Sequence, residues 1–204
     1  MSIRAVVFDI GGVLESTPDL SLDKKWEWRL GLQPGELNKC LGDVWRDGSL
    51  GAISVEQVHQ SIDEILKLDE TQVHEFMDDI WSEYLGTLNV ELANYFRSLR
   101  PKYQTAIISN SFVGAREKEV EHYQFDKICD FIIYSHEVGL RKPDPRIFTL
   151  ACERLCLQPH EIIFLDDHPE VYSSAQEMGM HCIEFQNTAQ AIADIEACIQ
   201  ANGG

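Results

Sequence analysis

Five short runs rich in Val, Ile and Phe recur along the chain, and each is followed by polar residues and then by a stretch of helical pattern. The runs are Ala5–Phe8, Thr105–Ile108, Phe131–Tyr134, Ile162–Leu165 and Cys182–Phe185. Short, continuous apolar runs suit strands buried on both faces, as in a parallel sheet. The stretches between them, Glu91–Arg100, Val113–His122, Pro145–Cys156, Pro169–Met178 and Ala189–Ala201, read as helices. Strand and helix in repeated alternation predict an α/β three-layer sandwich around a parallel, Rossmann-like sheet. Right-handed crossovers then bring the carboxyl ends of all the strands to one edge.

One segment breaks the alternation. Residues 16–87 carry only helical signals, so an all-helical cap is expected there, set into an α/β core of residues 1–15 and 88–204. Lys24–Leu32 forms one helix, and a second run opens at Pro34 and passes through Trp45 to end near Gly48. Ser54 with Gln57, and Asp69 with Gln72, are capping boxes ahead of two amphipathic runs. The insertion leaves from the turn after the first strand, which places it over the sheet edge as a lid.

Polar groups collect at the predicted strand ends. Val6-Val7-Phe8 ends in Asp9, with Gly11 and Gly12 following. Ala106-Ile107-Ile108 ends in Ser109-Asn110. Ile163-Phe164-Leu165 ends in Asp166-Asp167-His168, and Lys142-Pro143 follows the third strand. Any one of these is read equally well as a turn or a helix cap. Together they aim three carboxylates, a hydroxyl and an ammonium at the edge where open α/β sheets bind ligands. Clustered carboxylates repel one another unless a cation lies among them, and an all-oxygen set suits Mg²⁺. Ser109 and Lys142 suit phosphate oxygens.

Composition narrows the partners. The formal net charge of −17 on 204 residues disfavours nucleic acid and anionic membrane surfaces. No apolar run is long enough to cross a bilayer and no secretory signal opens the chain, so a cytoplasmic protein, monomer or homodimer, is expected. Six cysteines form no Cys-x-x-Cys pair and read as reduced, small apolar residues.

The motifs resemble those of the haloacid dehalogenase superfamily, in its helical-cap branch. Phe8-Asp9-Ile10-Gly11-Gly12-Val13-Leu14 looks like the first motif, Ile107-Ile108-Ser109-Asn110 the second, Lys142-Pro143-Asp144-Pro145-Arg146-Ile147-Phe148 the third and Ile163-Phe164-Leu165-Asp166-Asp167 the fourth. The resemblance implies a Mg²⁺-dependent phosphohydrolase acting on a small phosphorylated metabolite such as a sugar phosphate. Asp9 would be the nucleophile, forming an aspartyl-phosphate. Asp9, the Gly11 carbonyl, Asp166 and Asp167 would hold the metal. Gly12, Ser109, Asn110 and Lys142 would hold the phosphate, with Ser109 and Lys142 also assisting catalysis.

Two positions depart from the family pattern. Gly11 stands where relatives usually carry the aspartate that serves as general acid and base. Val171 stands where many place a further metal-site aspartate. Glu15 and the imidazole of His168 are nearby candidates for the missing proton transfer. Gly11 also keeps two alternatives open: a metal-independent dehalogenase, or a catalytically weak domain retained for binding or regulation.

Overall fold

A computed structural model describes residues 2–203 of the chain. Five parallel strands form the main sheet in the order β5-β4-β1-β6-β7. They are β1 (Ala5–Phe8), β4 (Gln104–Ser109), β5 (Phe131–Tyr134), β6 (Ile162–Asp166) and β7 (His181–Glu184). All five coincide with the predicted runs to within about a residue. The first strand lies at the centre, paired with β4 on one side and β6 on the other. The chain therefore reverses its direction of travel across the sheet at β1, which opens a crevice at the carboxyl ends beside it.

Strand alternation sends side chains to two separate cores. Val6 and Phe8 face α6 (Val90–Ser98) and α11 (Thr188–Ala201), where Phe8 stacks on Phe96 at 4.3 Å between ring centres. Ala5 and Val7 face α9 (Pro145–Leu155) and α10 (Pro169–Glu177). The expected three-layer α/β sandwich is the observed one. Val171 is buried in this second core, so its side chain is committed to packing. The remaining core helices are α7 (Ala115–Tyr123) and the short α8 (Ser135–Val138).

The helical insertion holds α1 (Leu22–Leu30), α2 (Glu36–Cys40), α3 (Gly42–Ser49), α4 (Val55–Leu66) and α5 (Glu70–Leu85). Both predicted capping boxes form, Ser54 with Gln57 and Asp69 with Gln72. The single helix read from Pro34 through Trp45 is instead two, broken at Leu41. That side chain is wholly buried in the core of the insertion, and Gly42 follows it. Packing fixes the break against the local pattern. Residues 16–87 are also not helical throughout. The chain enters and leaves through a two-stranded antiparallel ribbon, β2 (Glu15–Ser16) with β3 (Thr87–Leu88). A pair of two-residue strands is too short to show a period in sequence.

Trp26, Phe76, Val58 and Ile62 centre the core of the insertion, and Ala115 of α7 belongs to the same cluster. Phe112, three residues beyond Ser109, packs its ring against the backbone of Gly48 and lies edge-on to Trp45 and Trp81. A β-carbon on Gly48 would come within 2.2 Å of that ring. The Ser135 hydroxyl donates to the Ser49 carbonyl at 2.8 Å. Insertion and sheet are thus stitched together beside the carboxyl edge.

Candidate active site

The sheet register sets the geometry of the edge. Phe8 is level with Ile107 and Leu165, so Asp9 emerges directly after β1, while Asp166 closes β6 and Ser109, two past Ile107, closes β4. Asp9 stays anchored to the sheet by its N–H, which donates to the Leu165 carbonyl at 3.0 Å. Its Oδ1 accepts from the Ile10 N–H at 2.7 Å.

Lys142 is the hub. Its side chain is 1% exposed, and its Nζ lies 2.7 Å from Asp9 Oδ1 and 2.7 Å from Asp166 Oδ2. Burial alone would discharge the ammonium, but the two flanking carboxylates hold its pKa above the ordinary lysine value. Burial pushes the Asp9 carboxyl upward, opposed by Lys142 and reinforced by Asp166. The Lys142 backbone is pinned as well. Its N–H donates to Asn110 Oδ1 at 2.7 Å, and Asn110 Nδ2 donates to its carbonyl at 2.9 Å. Asn110, expected to offer its backbone amide to phosphate, also has this second task for its side chain.

Asp9, Asp166 and Asp167 place carboxylate oxygens within 4.8 Å of one another. Three carboxylates against one ammonium leave an excess of negative charge, and every donor is oxygen, so a hard divalent cation fits the set. Both Asp166 oxygens already accept hydrogen bonds, Oδ2 from Lys142 and Oδ1 from the His168 N–H at 2.9 Å. Asp167 is exposed and lies against Gly12. Gly12 has φ +74°, and a β-carbon there would fall 2.1 Å from Asp167 Oδ2. Only glycine satisfies both the backbone conformation and the close approach.

Glu15 lies beside Gly11. A β-carbon at residue 11 would stand 3.6 Å from Glu15 Oε1, an ordinary contact, whereas one at Gly86 would stand 2.1 Å from Glu15 Oε2. The glutamate fills the room that Gly86 leaves. Glu15 is 4% exposed. Its Oε1 accepts from the Thr17 hydroxyl at 2.7 Å, while Oε2 has no hydrogen-bond partner. Burial raises its pKa, and Asp167 adds to the rise. His168, the other sequence candidate, is exposed.

Sequence reasoning missed Glu119. It lies on α7, 1% exposed, and accepts from the Tyr134 hydroxyl at 2.7 Å. Burial pushes its carboxyl to about 7, with Glu15 and Asp9 contributing. No local motif announces it, since its partner comes from another element.

A family model for haloacid dehalogenase-like hydrolases matches residues 3–179. The chain belongs to this hydrolase family. Among relatives of this haloacid dehalogenase-like hydrolase, mouse "Acyl-CoA dehydrogenase family member 10" is 31% identical over 97% of the chain, which spans only 19% of that protein. "D-ribitol-5-phosphate phosphatase" of Bacteroides thetaiotaomicron is 23% identical, covering 92% of this chain and 94% of the relative. A solved haloacid dehalogenase family enzyme of the same bacterium, in complex with magnesium and inorganic phosphate, superimposes with a TM-score of 0.76 at 22% identity. The match covers 91% of this hydrolase and 95% of that structure. No helix among the described residues is long and apolar enough to cross a membrane.

Proposed function

We propose that this hydrolase is a Mg²⁺-dependent phosphatase of small phosphate monoesters, with Asp9 as nucleophile and residues 16–87 as its cap. The observation that carries this reading is the buried Lys142 ammonium held 2.7 Å from both Asp9 and Asp166, with Asp167 completing a three-carboxylate group. The phosphatase relative and the magnesium–phosphate complex of the structural neighbour support it.

In this reading an Asp9 carboxylate oxygen attacks phosphorus, the bond to the leaving oxygen breaks, and its electron pair departs with that oxygen, which takes up one proton. Water then attacks the aspartyl-phosphate, gives up one proton and restores Asp9. The net change is a monoester and water to an alcohol and inorganic phosphate. Lys142 offsets charge on Asp9 and on the transferring group, while Ser109 and the backbone amides of Gly12 and Asn110 hold phosphate oxygens. Asp9, Asp167, Asp166 and the Gly11 carbonyl would hold Mg²⁺, which when bound screens the repulsion between nucleophile and phosphate. Of the two adjacent aspartates, Asp167 is the better donor, because both oxygens of Asp166 are engaged. Glu15 is the proposed proton donor and acceptor. It is supported by its unpartnered Oε2 and its place beside Gly11.

The test is a phosphate-release assay with and without a chelator, on wild type, Asp9→Asn and Asp167→Ala. Wild-type turnover should vanish with EDTA and return with Mg²⁺. Asp9→Asn should fall below about a thousandth of wild type, as expected when a covalent nucleophile is removed. Asp167→Ala should need more Mg²⁺. Chelator-insensitive turnover, or a robustly active Asp9→Asn, rules the reading out.

A further inference from the structure

A cavity of about 480 Å³ opens between the insertion and the sheet edge, and Asn110 and Ser111 form part of its wall. Asn110 and Ser111 directly follow Ser109, so the cavity lies beside the strand end where a leaving group would extend in the reading above, on which this inference rests. Its apolar wall comes from both parts of the chain: Leu22, Leu37, Trp45, Ile80 and Trp81 from the insertion, and Phe112 from the loop after β4. Trp45, Trp81 and Phe112 meet edge-on there, with ring centres 5.7 and 6.4 Å from Phe112.

Three polar side chains of the wall, Ser49, Asn110 and Ser111, are engaged within the protein. The Ser49 hydroxyl donates to the Arg46 carbonyl, and the Ser111 hydroxyl is bonded to His136 Nδ1. The Asn110 side chain holds Lys142. Asn38, the Tyr84 hydroxyl and the indole N–H groups of Trp45 and Trp81 have no internal partner among the described hydrogen bonds, so the unengaged polar groups are few and most belong to aromatic rings. A polyol entering this space would lose water from several hydroxyls and regain few hydrogen bonds, a costly exchange. An alkyl or aryl group would meet aromatic faces instead. The charged members of the wall are Asp19, Asp23 and Glu83, with no lysine or arginine. A second anionic group on the substrate would be repelled.

We infer that this hydrolase acts on phosphate monoesters with an apolar alkyl or aryl leaving group and no second negative charge, in preference to sugar or polyol phosphates. The experiment compares kcat/KM along n-alkyl phosphates from methyl to octyl, which keeps leaving-group acidity nearly constant. Ribitol 5-phosphate and an ω-carboxyalkyl phosphate serve as controls. Each buried methylene should raise kcat/KM about threefold to fourfold until the cavity is filled. The ω-carboxylate should cancel the gain, and the polyol ester should fall below butyl phosphate. Phe112→Leu, a small change chosen to keep the fold, should flatten the chain-length dependence. A binding readout is independent of turnover: octylphosphonate should quench the tryptophans of the cavity wall, and methylphosphonate should not. A flat alkyl series, or a polyol phosphate preferred over it, overturns the inference while leaving the phosphatase reading intact. Hydrolysis of no monoester, methyl and aryl phosphates included, removes both.

Discussion

In the proposed mechanism, Glu15 takes the proton-transfer role that Gly11 cannot. If it supplies the proton, Glu15→Gln should slow alkyl phosphates by about 10²–10⁴-fold and activated aryl phosphates far less, so the dependence of rate on leaving-group acidity should steepen. An unchanged dependence would move the proton source elsewhere. Gly11→Asp is a poor repair for an electrostatic reason: a β-carbon there would stand 3.6 Å from Glu15 Oε1, and two carboxylates sharing one site repel. That variant should lose activity alone and recover part of it when combined with Glu15→Gln. Glu119 makes a different prediction. Its pKa is raised to about 7, so the protonated form is favoured by folding. Its stabilising effect is complete below the ordinary glutamate pKa and is lost as pH rises through about 7. Glu119→Gln should therefore raise the melting temperature at pH 8 but not at pH 4, by an equivalent of up to about 3 kcal/mol. Equal shifts at both pH values would show that the carboxyl stays ionised in the fold. Residue-level legibility follows chain distance. Asp9, Ser109 and Asp166 were readable because each sits at the end of a strand, and Lys142 because it stands in the Lys-Pro motif before α9. The clamp of Asn110 on Lys142 and the bond of Tyr134 to Glu119 join residues 32 and 15 positions apart, and no local spacing encodes them.

At the scale of elements, the strands and capping boxes were legible because they are local: a buried apolar run or a Ser-x-x-Gln box contains its own cause. The break at Leu41 was not, because it depends on what Leu41 packs against. Nor was the contact between the insertion and α8. A β-carbon on Gly51, with φ +66°, would stand 1.8 Å from the His136 carbonyl oxygen. A fixed backbone cannot yield as a side chain tip does, so Gly51→Ala should destabilise the fold by about 2–3 kcal/mol or more. Thermal melts check this, and a loss under about 0.5 kcal/mol would show that the two segments are free to separate. The same contact bears on the lid. With Gly51 against His136 and Phe112 against Gly48, opening would have to pivot about this side, with the β2–β3 ribbon as the other tether.

For the whole molecule, the net charge of −17 acts on the encounter with substrate. A phosphate dianion approaches a like-charged protein, so kcat/KM for a monoester should rise several-fold as added NaCl increases from about 0.01 to 0.15 M at saturating Mg²⁺. A fall with salt would mean that a local positive field at the site dominates. The three-layer architecture was legible in full from the alternation of strand and helix. The cavity was not, because its wall is assembled from an insertion and a core loop that sequence order keeps apart.

That shared wall limits how the parts can be recombined. Phe112 is rooted in the β4 loop yet seated in the insertion, against a glycine that leaves it room. Grafting another relative's helices onto this sheet would leave the ring without its seat, and grafting these helices elsewhere would leave Gly48 facing a gap. A chimera should keep its chemistry on the smallest esters while losing discrimination among larger ones, until the phenylalanine and its glycine are transplanted together. On the inference drawn above, selectivity would pass to a chimera only when both members of the pair travel together.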